Sequence, residues 1–200
     1  MKEENRKVGE WERQGRLLPP PHLVKQKIVM QYGRNHRVGI LIETGTFLGD
    51  MIHACRNQFN QIVSIELDHQ LYQDVCRRFA GDRYIKIHHG DSGKLLPMVI
   101  EGISEPCLFW LDGHYSAGIT AKSDLNTPIM DELRAICNHP IDGHVVLIDD
   151  ARLFTGKDDY PTLDEVRDLL SSKKPDYKFE VALDIIRITP PQRNERGSAL

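Results

Sequence analysis

The sequence predicts a doubly wound α/β domain built on a mostly parallel sheet, and three observations carry that expectation. Short apolar runs rich in β-branched residues, at 38–42, 62–65, 84–87, 107–111 and 145–148, alternate with stretches such as 50–58, 70–79 and 130–138, whose apolar residues recur at helical spacing. Alternation of this kind marks βαβ units. The runs are nearly unbroken in hydrophobicity, as strands covered by helices on both faces require. Acidic residues then close the strands at regular intervals: 23 positions separate Glu43 from Glu66, and twice that number separate Glu66 from Asp112, with one strand between.

Taken in chain order, residues 1–16 are charged and lack the apolar core of a secretory signal. Trp11, Arg13 and Arg16 in this stretch suit a lid and a disordered arm equally. Pro19-Pro20-Pro21 ends it, and 22–33 reads as a helix leading into the first strand. The expected division is an arm and helix over 1–36, the α/β domain over 37–190 and a loose tail over 191–200. Near the end, 162–170 reads as a helix. The stretch 178–189 then holds two strand-like pieces with little room for a crossover helix, so an antiparallel hairpin closing the sheet edge is expected. The unit from Asp112 to Asp149 is longer than the others, and the excess falls in the Gly- and Ser/Thr-containing stretch 113–127. Long loops in compact domains are often lids or binding loops, and open α/β sheets bind ligands outside the carboxyl ends of their strands. The acids and the long loop therefore gather on one edge.

Composition narrows the function. Two hundred residues suit one domain, with 40% hydrophobic and 28% charged residues, as in ordinary globular proteins. A net charge of −3 and the lack of a basic cluster argue against nucleic acid. No apolar run approaches the ~20 residues needed to span a bilayer. Cys55, Cys76, Cys107 and Cys137 form no CxxC pair and read as free thiols, which suits a reducing cytoplasm. His88 and His89 are neighbours on a strand and point to opposite faces, a poor joint metal site. Trp110, inside an apolar run, is expected in the core.

The first strand runs into Glu43-Thr44-Gly45-Thr46-Phe47-Leu48-Gly49 and then a helix. Two glycines allow a tight turn and close approach of a ligand to the backbone, but the loop is not the GxGxxG of dinucleotide sites. Glu43 would repel a pyrophosphate and suits a ligand carrying an ammonium and a sulfonium. Glu66 ends the second strand, where a doubly wound fold sets a carboxylate against ribose hydroxyls. Gly90-Asp91-Ser92 follows the third strand and offers a carboxylate to an adenine amino group.

The ordered set ETGTFLG, SIELD, HHGDS, FWLDGH and VLIDD resembles the class I S-adenosylmethionine (SAM)-dependent methyltransferases across residues 38–151. The resemblance implies a seven-stranded Rossmann-like sheet with an antiparallel final strand. It implies that Glu43, Gly45 and Gly49 cradle the methionine part of SAM, that Glu66 holds the ribose and Asp91 the adenine. Thr44, Ser92 and Asp112 complete the expected cofactor set.

Asp112-Gly113-His114 after the fourth strand and Asp149-Asp150 after the fifth bring three carboxylates together, which repel one another unless a cation neutralises them. Oxygen ligands in that number suit Mg²⁺. Both aspartates of the pair reach one ion only if the chain turns out of the strand there. The pattern is similar to metal-dependent O-methyltransferases of catechols and sugars, and so implies metal ligation by Asp112, Asp149 and Asp150. The sugar enzymes carry an acidic base two residues after the first aspartate. Here that position is His114, which can still accept a proton near neutral pH. Tyr115, Thr120, Lys122 and Asp124 in the long loop suit substrate contact or solvation equally. The expected activity is metal-assisted O-methylation of a small hydroxylated acceptor such as a sugar or phenol. Metal-independent transfer to nitrogen or carbon, and a non-catalytic SAM-binding protein, are the alternatives. Neither nucleic acid nor membrane is an expected partner, and a homodimer is left open.

Overall fold

A computed structural model describes residues 2–113 and 127–192. The elements run α1 (Lys2–Arg13), α2 (His22–Asn35), β1 (Ile40–Thr44), α3 (Asp50–Cys55), β2 (Gln61–Glu66), α4 (His69–Arg78), β3 (Ile85–His89), α5 (Ser92–Ile100), β4 (Cys107–Leu111), α6 (Ile129–Asn138), β5 (Val145–Ile148), a 3₁₀ turn (Ala151–Leu153), α7 (Leu163–Lys173), β6 (Lys178–Ala182) and β7 (Ile185–Thr189). All seven strands join one sheet in the order β3-β2-β1-β4-β5-β7-β6. Neighbours among β1 to β5 are parallel, and β7 is antiparallel to both β5 and β6. The doubly wound, mostly parallel sheet and its C-terminal hairpin are as expected, with one refinement. The last strand slots between β5 and β6, so β6 forms the outer edge. Strand order reverses between β1 and β4, and there the carboxyl ends open a crevice.

Because successive strand residues point to opposite faces, parity along the strands sorts the core into two layers. Ile40, Ile42, Val63, Ile65 and Phe109 pack with Leu96 of α5, Leu133 of α6 and Val166 of α7. Leu41, Ile62, Leu108, Trp110 and Leu147 pack with Val29 of α2, Ile52 of α3 and Val75 of α4. Carried to the strand ends, the same parity assigns Glu43, Ser64, Glu66, Asp112 and Asp149 to the α2–α3 side. Thr44 falls on the α5–α6 side.

Three local findings differ from the sequence reading. Strand β1 starts two residues later than expected and includes Glu43, which pairs in register with Ser64. The amides of Asn60 and Gln61 both turn to the Gly39 carbonyl, so laddered pairing begins only at Ile40. Residues ahead of the prolines form a helix, and Trp11 is buried, its indole N–H donating to the Leu17 carbonyl at 2.6 Å. Helix α5 starts at an N-cap, Asp91, whose carboxylate accepts from the Gly93 N–H at 3.0 Å. No helix among the described residues is long and apolar enough to cross a membrane.

Candidate active site

The loop from β1 to α3 is shaped by two glycines. Gly45 has φ +79°, and a side chain there would run into the Asp112 carbonyl at the end of β4. Gly49 caps α3 at φ +77°, where a Cβ would lie 2.8 Å from the Phe79 ring. Both positions need a left-handed backbone and the close approach that only glycine permits. Arg78 of α4 ties the loop down by donating to the Leu48 carbonyl and, at 2.7 Å, to the Asp50 carboxylate. The loop is thus held as a fixed backbone cradle against β4.

Glu43 lies beneath this cradle, 2% exposed. Ser64 donates to its carboxyl at 2.7 Å, and Thr46 in turn meets Ser64 at 2.6 Å. Burial pushes the Glu43 carboxyl up to about 8, with Asp112, Glu66 and Asp50 adding to the rise and Ser64 opposing it. Without a cationic partner this side chain is mainly protonated at pH 7. Such a group fits a ligand that brings its own positive charge.

Glu66 ends β2 and has a structural duty that its position alone does not show. One carboxylate oxygen accepts from the Phe47 N–H at 2.7 Å, and the other from the Asp68 N–H at 2.8 Å. Burial raises its pKa, while those two amides pull it back. Each oxygen keeps a second lone pair, so the group can still receive a ribose hydroxyl. Glu66→Ala is expected to weaken cofactor binding by about 1.5–3 kcal/mol, the range for hydrogen bonds to charged groups. It also strips the Phe47 amide of its acceptor, so a lower urea midpoint should accompany the lost affinity in calorimetry. Unchanged affinity would remove Glu66 from the ligand site.

On the other side of the crevice, Asp112, Asp149 and Asp150 each offer a carboxylate oxygen, all within 4.8 Å of one another. Asp149 follows β5, its N–H still bonded to the Leu111 carbonyl at 3.0 Å. Asp150 then adopts φ +54° and ψ +45° and starts the 3₁₀ turn. That left-handed residue turns the chain out of the strand and swings Asp150 toward its neighbour's side. The β6–β7 turn braces the arrangement: the Asp184 carbonyl accepts from the Ala151 N–H at 2.9 Å and its carboxylate from the Arg152 N–H at 2.8 Å. Arg152 also donates to Asp150 at 2.7 Å.

Sequence reasoning missed Lys25. From α2 its ammonium bonds Asp149 and lies 3.6 Å from Asp150. Burial would lower the Lys25 pKa, but Asp149, Asp150 and Asp112 together raise it. Burial and the nearby Asp112 push Asp149 upward, with Lys25 opposing. His22, one turn earlier, is held below its usual value by burial, although Asp112 pulls the other way. Lys25 and Gln26 fall on the same stripe of α2 as the buried Val29, and polar residues on a buried stripe were the available signal.

Glu132 was missed too. It sits on α6 between Ile129, Leu133 and Ile136, a carboxylate in a buried stripe at helical spacing. It is 1% exposed, its Oε1 has no hydrogen-bond partner among the described residues, and burial pushes it up to about 7 against the nearby Ser92 and Thr44 hydroxyls. Thr44 and Ser92 therefore line the α5–α6 side with Glu132, apart from Glu43 and Glu66. Asp91, beside them, caps α5 with one oxygen, and its other lies 3.5 Å from the Lys94 ammonium. His114, Tyr115, Thr120, Lys122 and Asp124 lie outside the described residues.

Chemically, the crevice joins a glycine cradle over a buried acid to three carboxylates 4.8 Å or less apart. Oxygen donors in that number fit a hard divalent cation, with water or acceptor oxygens completing its shell. No family model matches the chain, and no curated protein does. Solved structures do match. The O-methyltransferase TomG of Streptomyces achromogenes, from tomaymycin synthesis and solved with SAM, is 15% identical over 94% of this chain and 89% of its own, with a TM-score of 0.57. An O-methyltransferase from Bacillus cereus, solved with S-adenosylhomocysteine, is 11% identical over 94% of this chain and 91% of its own, at 0.59. The 23S rRNA methyltransferase ErmE is 18% identical over 82% of this chain and 68% of its own, at 0.51. At such identities the likeness establishes the fold, one shared by O-methyltransferases and an RNA methyltransferase alike.

Proposed function

We propose that this chain is a SAM-dependent methyltransferase that methylates a hydroxyl of a small acceptor, such as a sugar or phenol, with help from a divalent cation. One observation carries the reading: the Glu43–Gly45–Glu66 cradle and the Asp112–Asp149–Asp150 cluster stand at the carboxyl ends of neighbouring strands on either side of the switch between β1 and β4, close enough that a side chain on Gly45 would meet the Asp112 carbonyl. The shared fold supports it, and so does the charge of the acidic side, which suits a neutral, polyhydroxylated acceptor better than a nucleic-acid backbone.

SAM supplies a methyl group on a sulfonium, so the acceptor oxygen gains a carbon–oxygen bond as the carbon–sulfur bond breaks. The chain's part is to align the partners and remove one proton. Glu43 faces the ammonium of the methionine part, Glu66 the ribose and Asp91 the adenine amino group. Asp112, Asp149 and Asp150 would hold the cation, which would supply the chemistry of orienting acceptor oxygens and lowering their pKa. His114 takes the acceptor proton. A second reading, metal-independent transfer, is favoured by Lys25, whose ammonium already neutralises part of the acidic cluster.

Calorimetry with SAM, S-adenosylhomocysteine and NAD tests the cofactor, and NAD binding alone would sink the proposal. Transfer of labelled methyl to a panel of hydroxylated metabolites, with Mg²⁺ and with excess chelator, then separates the two readings. Full turnover in chelator would leave the methyltransferase standing without its metal.

A further inference from the structure

We infer that Lys25 and the divalent cation compete for one site, so that the ammonium is the built-in occupant of the acidic cluster and must swing away before metal binds. The inference rests on the metal-assisted reading above and adds a residue to it.

The geometry at Asp149 makes the two cations exclusive. One oxygen of its carboxylate is committed to the Asp150 N–H at 2.9 Å. The other is the oxygen that bonds the Lys25 ammonium. Among the described residues this second oxygen carries no hydrogen bond from the backbone, and a divalent cation that took it, at roughly 2.1 Å for Mg²⁺, would sit where the ammonium now does. Two cations cannot share it, because the repulsion between them is barely screened in so buried a place: the Lys25 side chain is 13% exposed and that of Asp149 2%. Asp150 is contested in the same way, with Lys25 at 3.6 Å from the oxygen to which Arg152 donates.

Helix α2 can release the ammonium without moving. Its Val29 is fully buried in the core, and the Gln26 side chain donates to the Asp50 carbonyl at 3.1 Å. These contacts fix the helix next to the start of α3, while the four-carbon stem of Lys25 needs only a change of rotamer. The ammonium offsets one of the cluster's three negative charges, and a divalent cation in its place would offset two. The ammonium explains how three converging acids stay folded with no metal, and why a metal must bring more binding energy than it would need at a bare cluster. Coupling of this sort is reciprocal: whatever Lys25 costs the metal, the metal costs the Lys25 ion pair.

The test uses Mn²⁺ on the full chain without SAM, with free ion counted by electron paramagnetic resonance. Lys25→Met is expected to bind Mn²⁺ at least ~10-fold more tightly than the unsubstituted protein, within the usual span of coupling between sites. Lys25→Arg, which keeps the charge, should show no such gain, and adding Asp149→Asn to Lys25→Met should abolish it. A second measurement needs no variant: acetylation of Lys25 by an amine reagent, followed by peptide mass spectrometry, should rise once Mn²⁺ saturates the protein. The inference is overturned if Lys25→Met binds Mn²⁺ no better, if Lys25 labelling ignores saturating Mn²⁺, or if neither protein binds the ion. Binding of S-adenosylhomocysteine is measured separately, so loss of this competition and loss of the methyltransferase reading are distinct results.

Discussion

A protein carrying Glu43→Gln is expected to melt at a higher temperature than the native chain at pH 8 while binding SAM more weakly. The Glu43 carboxyl stands near 8 in the fold against an ordinary 4.5. The folded state therefore holds a proton that the unfolded chain gives up, and stability attached to this group is complete below pH 4.5. It is lost progressively as pH rises from there to about 8. At ~1.4 kcal/mol per unit, the glutamine variant escapes a loss of up to about 5 kcal/mol on the alkaline side. Glutamine keeps the size of the side chain and an oxygen to accept from Ser64. It cannot become an anion, so a cationic ligand loses its partner, and affinity should drop ~10- to 100-fold, as for other hydrogen bonds to charged groups. Native affinity should climb between pH 7 and 8 as the carboxyl ionises, and that climb should vanish in the variant. Melting curves and calorimetry across this range check both halves. A glutamine variant less stable than the native chain at pH 8 would contradict the burial argument, and equal affinities would take Glu43 away from the ligand.

His114→Ala and Asp149→Asn are expected to separate proton removal from metal binding. His114→Ala should slow methyl transfer ~10²–10⁴-fold, the usual contribution of a positioned base, and leave Mn²⁺ and SAM binding intact. Asp149→Asn, or Asp112→Asn, should reduce Mn²⁺ affinity and turnover together, with SAM still bound. The native rate should also fall at acid pH, where a protonated imidazole cannot accept the acceptor's proton. Single-turnover kinetics beside metal titrations resolve the two cases. A His114→Ala protein with native rates would pass the base to another group or to the cation alone.

Much of the architecture was legible because sheet periodicity and strand-end chemistry are local. The runs at 107–111 and 145–148 coincide with β4 and β5, and the two pieces of 178–189 became β6 and β7. Insertion of β7 between β5 and β6 was not legible, since pairing partners depend on the whole sheet. Helix α5 stayed hidden because Pro97 interrupts its pattern, and only its Asp91 cap announces it. At the site, Asp112, Asp149 and Asp150 could be singled out because acids after apolar strands are conspicuous. That the last two converge depends on the left-handed turn at Asp150, which a non-glycine residue does not advertise. Lys25 lies 124 positions from Asp149, and Glu132 sits on a helix between Asp112 and Asp149. Each was marked only by a polar residue on an apolar stripe, and the packing of α2 and α6 supplied the meaning.

The brace from the β6–β7 turn onto the end of β5 also bears on how the protein is made. Asp184 fixes the backbone at Ala151 and Arg152, while Lys25 approaches the same cluster from α2. One small site thus depends on segments about 160 residues apart, a contact that closes late because long loops cost entropy. During synthesis, β1 to β5 can leave the ribosome and pair before β7 exists, with one side of β5 still open as an unpaired edge. A nascent chain arrested before residue 184 should therefore be prone to aggregate and unable to assemble the cluster, and completion of the hairpin becomes the event that both seals the sheet and switches on the site.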